Sequence, residues 1–341
     1  MAGEFALIEH LLRQTRAEDT ALPPILGPGD DCALIRPSHP DPALAWAVTT
    51  DMLVAGVHFL DSDHPYDLGW KTLAVNLSDL AAMGAQPRYV TLAAAIPTAD
   101  AKETAWIDAF FSGFMACART FGVALIGGDT TRGPRVFSVT AMGEVTAAQA
   151  LRRSGAQAGN DIWISGTPGY AALGLHAKLH ALPLPPEVAE WAHRALHRPE
   201  PRVALGLALN GLAHSAMDVS DGLLQDLGHI AQASRLQATV EDALLPTAPP
   251  DVDVTLWQAC LLGGGDDYEL LFTAPPAARE TIQALSPAHA LPITRIGFMH
   301  PVQPDAETGT MSTASVRVVD RDGHPIDLSH LRAGFDHFAA S

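Results

Sequence analysis

Three apolar segments of the sequence each run into a short polar stretch that contains aspartate. They are Ala43–Val48 before Thr49-Thr50-Asp51, Val123–Ile126 before Gly127-Gly128-Asp129, and Ser215–Met217 before Asp218. Short apolar runs bounded by turn residues predict buried strands. We therefore expect these aspartates at the ends of strands, where side chains from separate elements can converge.

A bound hard cation and an ordinary turn both explain such a stretch, because Thr and Asp are common turn residues. The adjacent acids Asp30 and Asp31, which follow Gly27-Pro28-Gly29, leave the same choice open. Two carboxylates about 4 Å apart repel by up to about 4 kcal/mol at an effective dielectric of about 20. Either a cation or exposure to solvent relieves that repulsion.

The remaining periodicity predicts helices between the strands. Helices are predicted at residues 4–16, 67–84 and 100–121 and from Ala171, and further strands at 89–96, 136–144, 162–165, 293–298 and 316–319. In the second helix Asp67 is the predicted N-cap. Thr72, Asn76 and Asp79 recur at helical spacing and share one face. Asp79 matters chemically only if that face points at the other aspartates.

The order of these elements predicts a mixed α/β chain of two domains. Residues 145–160 look like a crossover, so we predict an N-terminal domain at 1–148 and a C-terminal domain at 149–341. In the second domain Ser220 is the predicted cap of a helix that starts near Asp221. The N-terminus of such a helix favours anions.

Composition excludes several classes of function. The net charge of −17 argues against nucleic acid and anionic membranes, which both need a basic surface. Aromatic residues make up only 6% of the chain, so binding through aromatic side chains stacked on bases is not indicated. Three separated cysteines fit neither a disulfide framework nor a metal finger. With no signal peptide or apolar run of membrane length, we expect a reducing, cytoplasmic setting.

Positive charge for phosphate binding is scarce in the sequence. There is no Walker loop, no Rossmann glycine fingerprint and no Gly-x-Ser-x-Gly elbow. The histidine pairs His176/His180 and His193/His197 lack the glutamate of a His-Glu-x-x-His motif. Carboxylates without neighbouring His or Cys suit Mg²⁺ rather than zinc or copper. If phosphate is handled here, magnesium must supply most of the counter-charge.

Seven segments together resemble the thiamine-monophosphate kinase family, of the superfamily that includes aminoimidazole ribonucleotide synthetase and selenophosphate synthetase. They are Gly27–Leu34 (GPGDDCAL), Thr49–Phe59 (TTDMLVAGVHF), Lys71–Ala85 (KTLAVNLSDLAAMGA), Ile126–Gly133 (IGGDTTRG), Arg153–Ala156 (RSGA), Met217–Leu223 (MDVSDGL) and Gly265–Leu270 (GDDYEL). The resemblance implies direct transfer of phosphate from ATP to thiamine monophosphate, giving thiamine diphosphate. It also implies a homodimer in which the N-terminal sheets of two subunits pair.

The resemblance further implies roles for individual residues. Metal ligands would be Asp31, Thr49, Thr50, Asp51, Asp79, Asp129, Asp218 and Asp221, with Asp30 a weaker candidate. ATP contacts would come from Gly128, Asp129, Arg153 and Ser220, and thiamine monophosphate contacts from His58, Asp266 and Phe335. The family often has Glu at the position of Asp266 and Trp or Tyr at that of Phe335. No general base is expected, because the acceptor phosphate, with a second pKa of about 6, is already ionised at neutral pH.

Three alternatives remain at this point. Selenophosphate synthetase is expected to carry a reactive Cys or selenocysteine with a nearby Lys near its N-terminus, and residues 1–26 hold neither Cys nor Lys. The hydrogenase-maturation dehydratase is expected to end in Cys, whereas this sequence ends Ala-Ala-Ser. A non-catalytic protein would bind nucleotide and magnesium without releasing ADP.

Overall fold

The computed structural model describes residues 25–26, 30–35, 43–98, 101–302, 314–329 and 334. The strands are β1 (Ala33–Ile35), β2 (Leu44–Val54), β3 (Gln86–Ile96), β4 (Ala124–Arg132), β5 (Val136–Thr146), β6 (Asp161–Ser165), β7 (Ser215–Asp218), β8 (Leu236–Glu241), β9 (Leu270–Ala274), β10 (Ile293–Pro301) and β11 (Val316–Val319). The helices are α1 (Pro65–Ala82), α2 (Ala101–Phe121), α3 (Tyr170–His180), α4 (Pro186–His197), α5 (Val203–Leu209), α6 (Leu223–Ser234), α7 (Val254–Gly263) and α8 (Arg279–His289).

The N-terminal sheet has the strand order β1-β2-β5-β3-β4 and is antiparallel except where β3 pairs with β4. Residues of β5 alternate strictly between buried and partly exposed, so one face packs on the core and the other does not. Helices α1 and α2 cover the buried face. The opposite face, which we call the outer face, carries the exposed side chains Met52, Tyr89 and Ile126.

Two glycines allow α1 and α2 to cross closely. A Cβ at Gly69 would lie 1.8 Å from the carbonyl oxygen of Phe110, and one at Gly113 would lie 1.8 Å from that of Tyr66. No larger side chain fits at either position, so the sequence encodes a crossing in which the two backbones touch. This crossing fixes α1 beneath β2.

The C-terminal sheet has the strand order β11-β8-β10-β6-β9-β7 and is covered on both faces. All five residues of β6 are buried. Ile162 and Ile164 pack into the cluster formed with α6 and α7, while Trp163 points to the other side and joins the cluster that includes the N-terminal core. A continuous hydrophobic core therefore connects the two sheets.

Helix α1 lies between the two sheets and also contacts α5. A Cβ at Gly206 of α5 would lie 2.1 Å from the carbonyl oxygen of Ala81, so the helices meet backbone to backbone. The indole Nε1 of Trp70 donates to the carbonyl oxygen of Pro199 at 2.8 Å. The mixed α/β prediction is confirmed. The predicted domain boundary between residues 148 and 149 falls between β5 and β6 and stays a prediction.

The structure corrects the predicted position of two polar stretches. Thr49-Thr50-Asp51 lies in the middle of β2 and Gly127–Thr131 lies within β4, so neither stretch ends a strand. The Thr residues suit a pleated surface, and pairing with β5 continues to Val54. Strand pairing thus overrides the local turn preference. Asp218 does end its strand, as predicted.

Two predicted helix caps are also wrong. Helix α1 begins at Pro65, and Asp67 forms an ion pair with Arg198 instead of capping. Helix α6 begins at Leu223 with Gly222 at the N-cap position, so Ser220 lies upstream of the cap. The predicted helix at 4–16 lies outside the described residues. No helix in the described ranges combines the length and the apolar character needed to cross a membrane.

Candidate functional site

Three carboxylates from separate elements meet where the two sheets adjoin. Asp31 precedes β1, Asp79 lies on α1 and Asp218 ends β7, and one oxygen of each lies within 4.8 Å of the others. We call these three residues the acid cluster. Asp31 is 7% exposed and Asp218 is 3% exposed, so water does little to screen them. The condition stated for Asp79 is therefore met, since its carboxylate lies beside those of Asp31 and Asp218.

Polar contacts from α1 and β2 hold the acid cluster in place. Ser78 Oγ donates to Asp218 Oδ2 at 2.6 Å, and the Thr49 hydroxyl donates to Asp79. Asp51 joins from β2, where its backbone N–H donates to Asn76 Oδ1 at 3.0 Å. Asn76 and Ser78, two residues apart on α1, therefore contact acids from both halves of the chain, Asp51 and Asp218.

Burial and mutual repulsion make ionisation of these acids unfavourable. Burial, then the charge of Asp31, raises the pKa of Asp218 to about 8 and that of Asp51 to about 6. The pKa of Asp79 lies well above its ordinary value, because of burial and then the charges of Asp51 and Asp218. Burying several acids together lowers the stability of the folded protein unless a bound cation offsets their charge.

The donor set of the acid cluster fits a hard divalent cation. It consists of carboxylate and hydroxyl oxygens, which Mg²⁺ prefers. Asp31 Oδ2 is buried and has no hydrogen-bond partner among the described residues, so one lone-pair site faces inward unsatisfied. The residues present therefore fit the predicted magnesium.

Arg153 connects the acid cluster with the loop before β1. Its guanidinium donates to Asp31 Oδ1, with Nε at 3.1 Å, and its backbone N–H donates to Asp30 Oδ2 at 3.2 Å. Burial opposes the charge of Arg153, but its ion pair with Asp31 raises the pKa of the guanidinium above its usual value. Burial and then Asp31 raise the pKa of Asp30 to about 6. One fixed cation thus lies against the acids.

A cavity of about 780 Å³ is lined by Asp79 and Asp218 of the acid cluster and also by a group of apolar side chains, which we call the apolar lobe. Its lobe is lined by Val57, Phe59, Leu68, Leu175 and Leu196. On the wall of the cavity, the buried Lys71 forms an ion pair with the partly exposed Asp266. The cavity can therefore receive a molecule with one anionic end and one apolar end.

The structure brings most of the predicted site residues to this cavity. Those that line it are Thr50, Asp51, His58, Asp79, Asp218, Ser220, Asp221 and Asp266. Asp31 belongs to the acid cluster, Thr49 donates to Asp79, and Arg153 connects Asp30 with Asp31. Phe335 lies outside the described residues.

Gly128 and Asp129 do not reach the cavity of their own chain. They lie on the edge strand β4, and Asp129 pairs with Ala93. Ala93 pairs with Ser138 of β5, which in turn pairs with Met52 of β2. Three strand spacings, about 14 Å, therefore separate Asp129 from β2. The side chain of Asp129 is exposed on the outer face.

Sequence reasoning missed two residues that shape the site. Asp226 Oδ2 accepts hydrogen bonds from the backbone N–H groups of Ser220, Asp221 and Gly222 at 3.1, 3.2 and 3.1 Å. An acid in the first turn of a helix that follows Ser-Asp-Gly could have indicated this. Lys71 had no local signal, because its partner Asp266 is 195 residues away.

Comparison with known proteins agrees with this geometry. Residues 29–145 match the family model "AIR synthase related protein, N-terminal domain", and residues 157–303 match the corresponding C-terminal domain. The thiamine-monophosphate kinase of Escherichia coli K12 is 40% identical over 343 residues, which cover 99% of this chain and 98% of that protein.

Solved structures give the same result. The thiamine-monophosphate kinase of Stenotrophomonas maltophilia K279a superposes with a TM-score of 0.74 at 44% identity, covering 95% of this chain and 98% of that one. A structure described as AaThiL complexed with AMPPCP and TMP superposes with a TM-score of 0.77 at 26% identity, covering 98% and 97%. The chain therefore belongs to the AIR synthase related family and, within it, to the thiamine-monophosphate kinases.

Proposed function

We propose that this chain transfers the γ-phosphoryl group of ATP to thiamine monophosphate and so makes thiamine diphosphate, the last step of thiamine diphosphate biosynthesis. The observation that carries the proposal is the buried acid cluster at one end of a cavity whose other end is apolar. The near-full-length similarity to thiamine-monophosphate kinases supports it. The first end suits a metal–triphosphate, and the second suits the rings of thiamine.

Magnesium would be held by Asp31, Asp79 and Asp218, with Asp51 and Asp221 at the cavity wall. When bound, it neutralises the charge of the phosphate oxygens as they approach one another. Asp30, Thr49 and Thr50 supply further oxygen atoms nearby, and we propose them as additional ligands. The donor set and the partnerless Asp31 Oδ2 support this assignment.

The chain's own residues have positioning roles in this reaction. Arg153 offers a fixed guanidinium for the triphosphate, since its ion pair with Asp31 holds it in place. Ser220 lies where Asp226 orders the turn before α6 and lines the cavity, and we propose it as an ATP contact. No side chain has to remove a proton, because the attacking group is an ionised phosphate. Hydrophobic side chains of the lobe exclude water from the acceptor.

We also propose that two copies of the chain form the working enzyme. The outer face of the N-terminal sheet exposes the apolar side chains of Met52 by 53% and Ile126 by 56%, which a second copy would cover. A second copy seated there would bring its Gly128 and Asp129 toward the first copy's β2. This accounts for their predicted nucleotide role despite their distance within one chain.

The proposed setting is the cytoplasm. The cysteines Cys32, Cys117 and Cys260 are all buried and unpaired thiols. Free buried thiols are ordinary in a reducing compartment. Burial raises the pKa of Cys117 above its ordinary value, so this thiol stays protonated and inert.

The experiment that tests the function measures ADP release with ATP and magnesium, with and without thiamine monophosphate. We expect ADP only when the acceptor is present, together with stoichiometric thiamine diphosphate. Asp51→Asn should remove activity but keep the fold, because an amide is a far weaker magnesium ligand than a carboxylate. Turnover with aminoimidazole-pathway substrates but not with thiamine monophosphate would overturn the proposal.

A further inference from the structure

Lysine is rare in this chain, and two of its three lysines line the same cavity. Lys71 and Lys178 contribute to the cavity wall, whereas Lys102 is exposed on α2. Lys71 is only 5% exposed, which is unusual for lysine. We infer that Lys71 binds the phosphate of the acceptor and thereby selects thiamine monophosphate over unphosphorylated thiamine. This inference rests on the proposed function and assigns a residue to its phosphate specificity.

The position of Lys71 along α1 supports this role. Asp79, Val75, Lys71 and Leu68 all line the cavity, at successive intervals of three or four residues on one helix face. At 1.5 Å per residue, Lys71 lies about 12 Å from Asp79 along the helix axis. The acids are at one end of this row and the apolar lobe is at the other. Lys71 therefore lies between the site for the triphosphate and the site for the acceptor's rings.

An acceptor bound in the lobe has to present its phosphate toward the acid cluster. The phosphate then reaches the part of the wall where Lys71 lies. Lys178 does not take this place, because its ammonium pairs with Asp63, which also lies beside His197. Among the described residues that line the cavity, these two are the only lysines or arginines.

A rigid loop holds the ion-pair partner of Lys71. Lys71 Nζ lies 2.5 Å from Asp266 Oδ2. Asp266 and its neighbour Tyr268 both adopt left-handed backbone conformations, with φ of 65° and 55°. Such conformations cost free energy in residues other than glycine and persist where surrounding contacts enforce them.

Those contacts come from two elements. The N–H groups of Asp266 and Tyr268 donate to the carbonyl oxygens of Ser220 and Val219 at 2.7 and 2.8 Å. Between them, Asp267 accepts from the backbone N–H of Gly169 at 2.9 Å. The strained loop therefore holds Asp266 against the Lys71 ammonium, and both residues line the cavity. An ammonium has three N–H donors, so it can bind a phosphate oxygen without leaving Asp266.

The test compares binding of thiamine monophosphate with binding of thiamine to wild type and to Lys71→Met, measured by titration calorimetry. Loss of a charge-assisted hydrogen bond should weaken thiamine monophosphate binding by about 10- to 100-fold. Thiamine has no phosphate, so its affinity should change by less than about twofold. In turnover assays KM for thiamine monophosphate should rise, and Lys71→Arg should recover part of the loss.

Lys102→Met is the matched control, since it removes an exposed lysine away from the cavity. If Lys71→Met fails to fold, Lys71→Met combined with Asp266→Asn removes both charges of the pair, and this double variant is compared with Asp266→Asn alone because Asp266 is itself an expected substrate contact. Relative to Asp266→Asn, the double variant should show the same loss of selectivity. Three results would each overturn the inference. Lys71→Met could weaken binding of thiamine monophosphate and thiamine equally, or weaken neither by more than Lys102→Met does. The third is a loss of selectivity in Lys178→Met instead.

The wild-type measurements separate the two hypotheses. If wild type turns over thiamine monophosphate and Lys71→Met keeps normal selectivity, the role of Lys71 is refuted and the proposed function stands. Absence of wild-type turnover with thiamine monophosphate refutes the proposed function, and the inference with it.

Discussion

Replacement of Asp218 by Asn should stabilise the metal-free protein and abolish its activity. The carboxylate of Asp218 is buried beside Asp31 and Asp79, and its only described hydrogen bond comes from Ser78 Oγ. An amide oxygen can accept that same bond. The substitution therefore removes a buried charge from the acid cluster without leaving Ser78 unpaired.

The magnitude follows from the pKa of Asp218, which burial and the charge of Asp31 raise from 3.8 to about 8. Between these values the folded protein binds more protons than the unfolded chain, so stability falls as pH rises from about 4 to about 8. At pH 7 the penalty reaches at most about 4 kcal/mol, at 1.36 kcal/mol per pH unit. Burying the amide offsets part of the gain, and we expect Asp218→Asn to recover about 1 to 3 kcal/mol.

The assay is thermal unfolding in EDTA at pH 4 and pH 8. At pH 8 the variant should melt roughly 2 to 6 °C above wild type. Near pH 4 the difference should become small, because folded Asp218 is protonated and the unfolded side chain, with a pKa of 3.8, is about half protonated. Added magnesium with ATP should stabilise wild type more than the variant, and the variant's turnover should fall at least about 100-fold. A variant no more stable than wild type at pH 8 in EDTA would refute the repulsion on which this reasoning depends.

Three further outcomes are expected. Ile126→Arg places a charge on the outer face, where Ile126 is 56% exposed. Light scattering should show a folded monomer, and turnover assays should show reduced activity. An unchanged dimer would contradict the proposed interface. Asp51→Asn and Asp129→Asn should each be inactive alone. A mixture of the two variants should regain about a quarter of wild-type activity, because about half of the dimers are mixed and each mixed dimer has one intact site out of two. No recovery on mixing would place Asp129 in the site of its own chain. Burial lowers the pKa of His197 to about 4. The folded protein therefore loses stability as pH falls from about 6.5 to about 4, because the unfolded chain binds the proton more readily. His197→Gln should reduce this loss by about 1 kcal/mol, measured by unfolding at several pH values.

Much of the site was predictable because its residues follow local rules. The helical spacing of Thr72, Asn76 and Asp79 gave one face, and Asn76 and Asp79 do face β2 and the acid cluster. Asp218 ends a short apolar strand, which places its carboxylate at the sheet edge. Periodicity gives such directions, since side-chain orientation repeats every two residues in strands and every 3.6 in helices.

Other features depend on pairing and packing that no local pattern encodes. The turn preference of Thr49-Thr50-Asp51 gave a strand end, yet pairing with β5 carries the strand to Val54. Asp129 resembles Asp51 in sequence, but the strand order puts the two on strands that are not neighbours. Sequence similarity between segments predicts similar local structure, and it does not predict that they share a site.

Helix α1 explains why the fold tolerates a group of buried acids. Asp79, Ser78 and Asn76 organise the acid cluster, Lys71 pairs with Asp266, and Trp70 bonds to Pro199, all from one helix of the N-terminal half. The same helix packs Leu73, Leu77 and Leu80 into the core that connects the two sheets. Its apolar face supplies the free energy that offsets the charged face, since each fully buried leucine contributes about 1.5 to 3 kcal/mol. Because a helix is rigid, the core packing that stabilises the junction of the two halves also fixes the positions of the groups that bind metal and substrate.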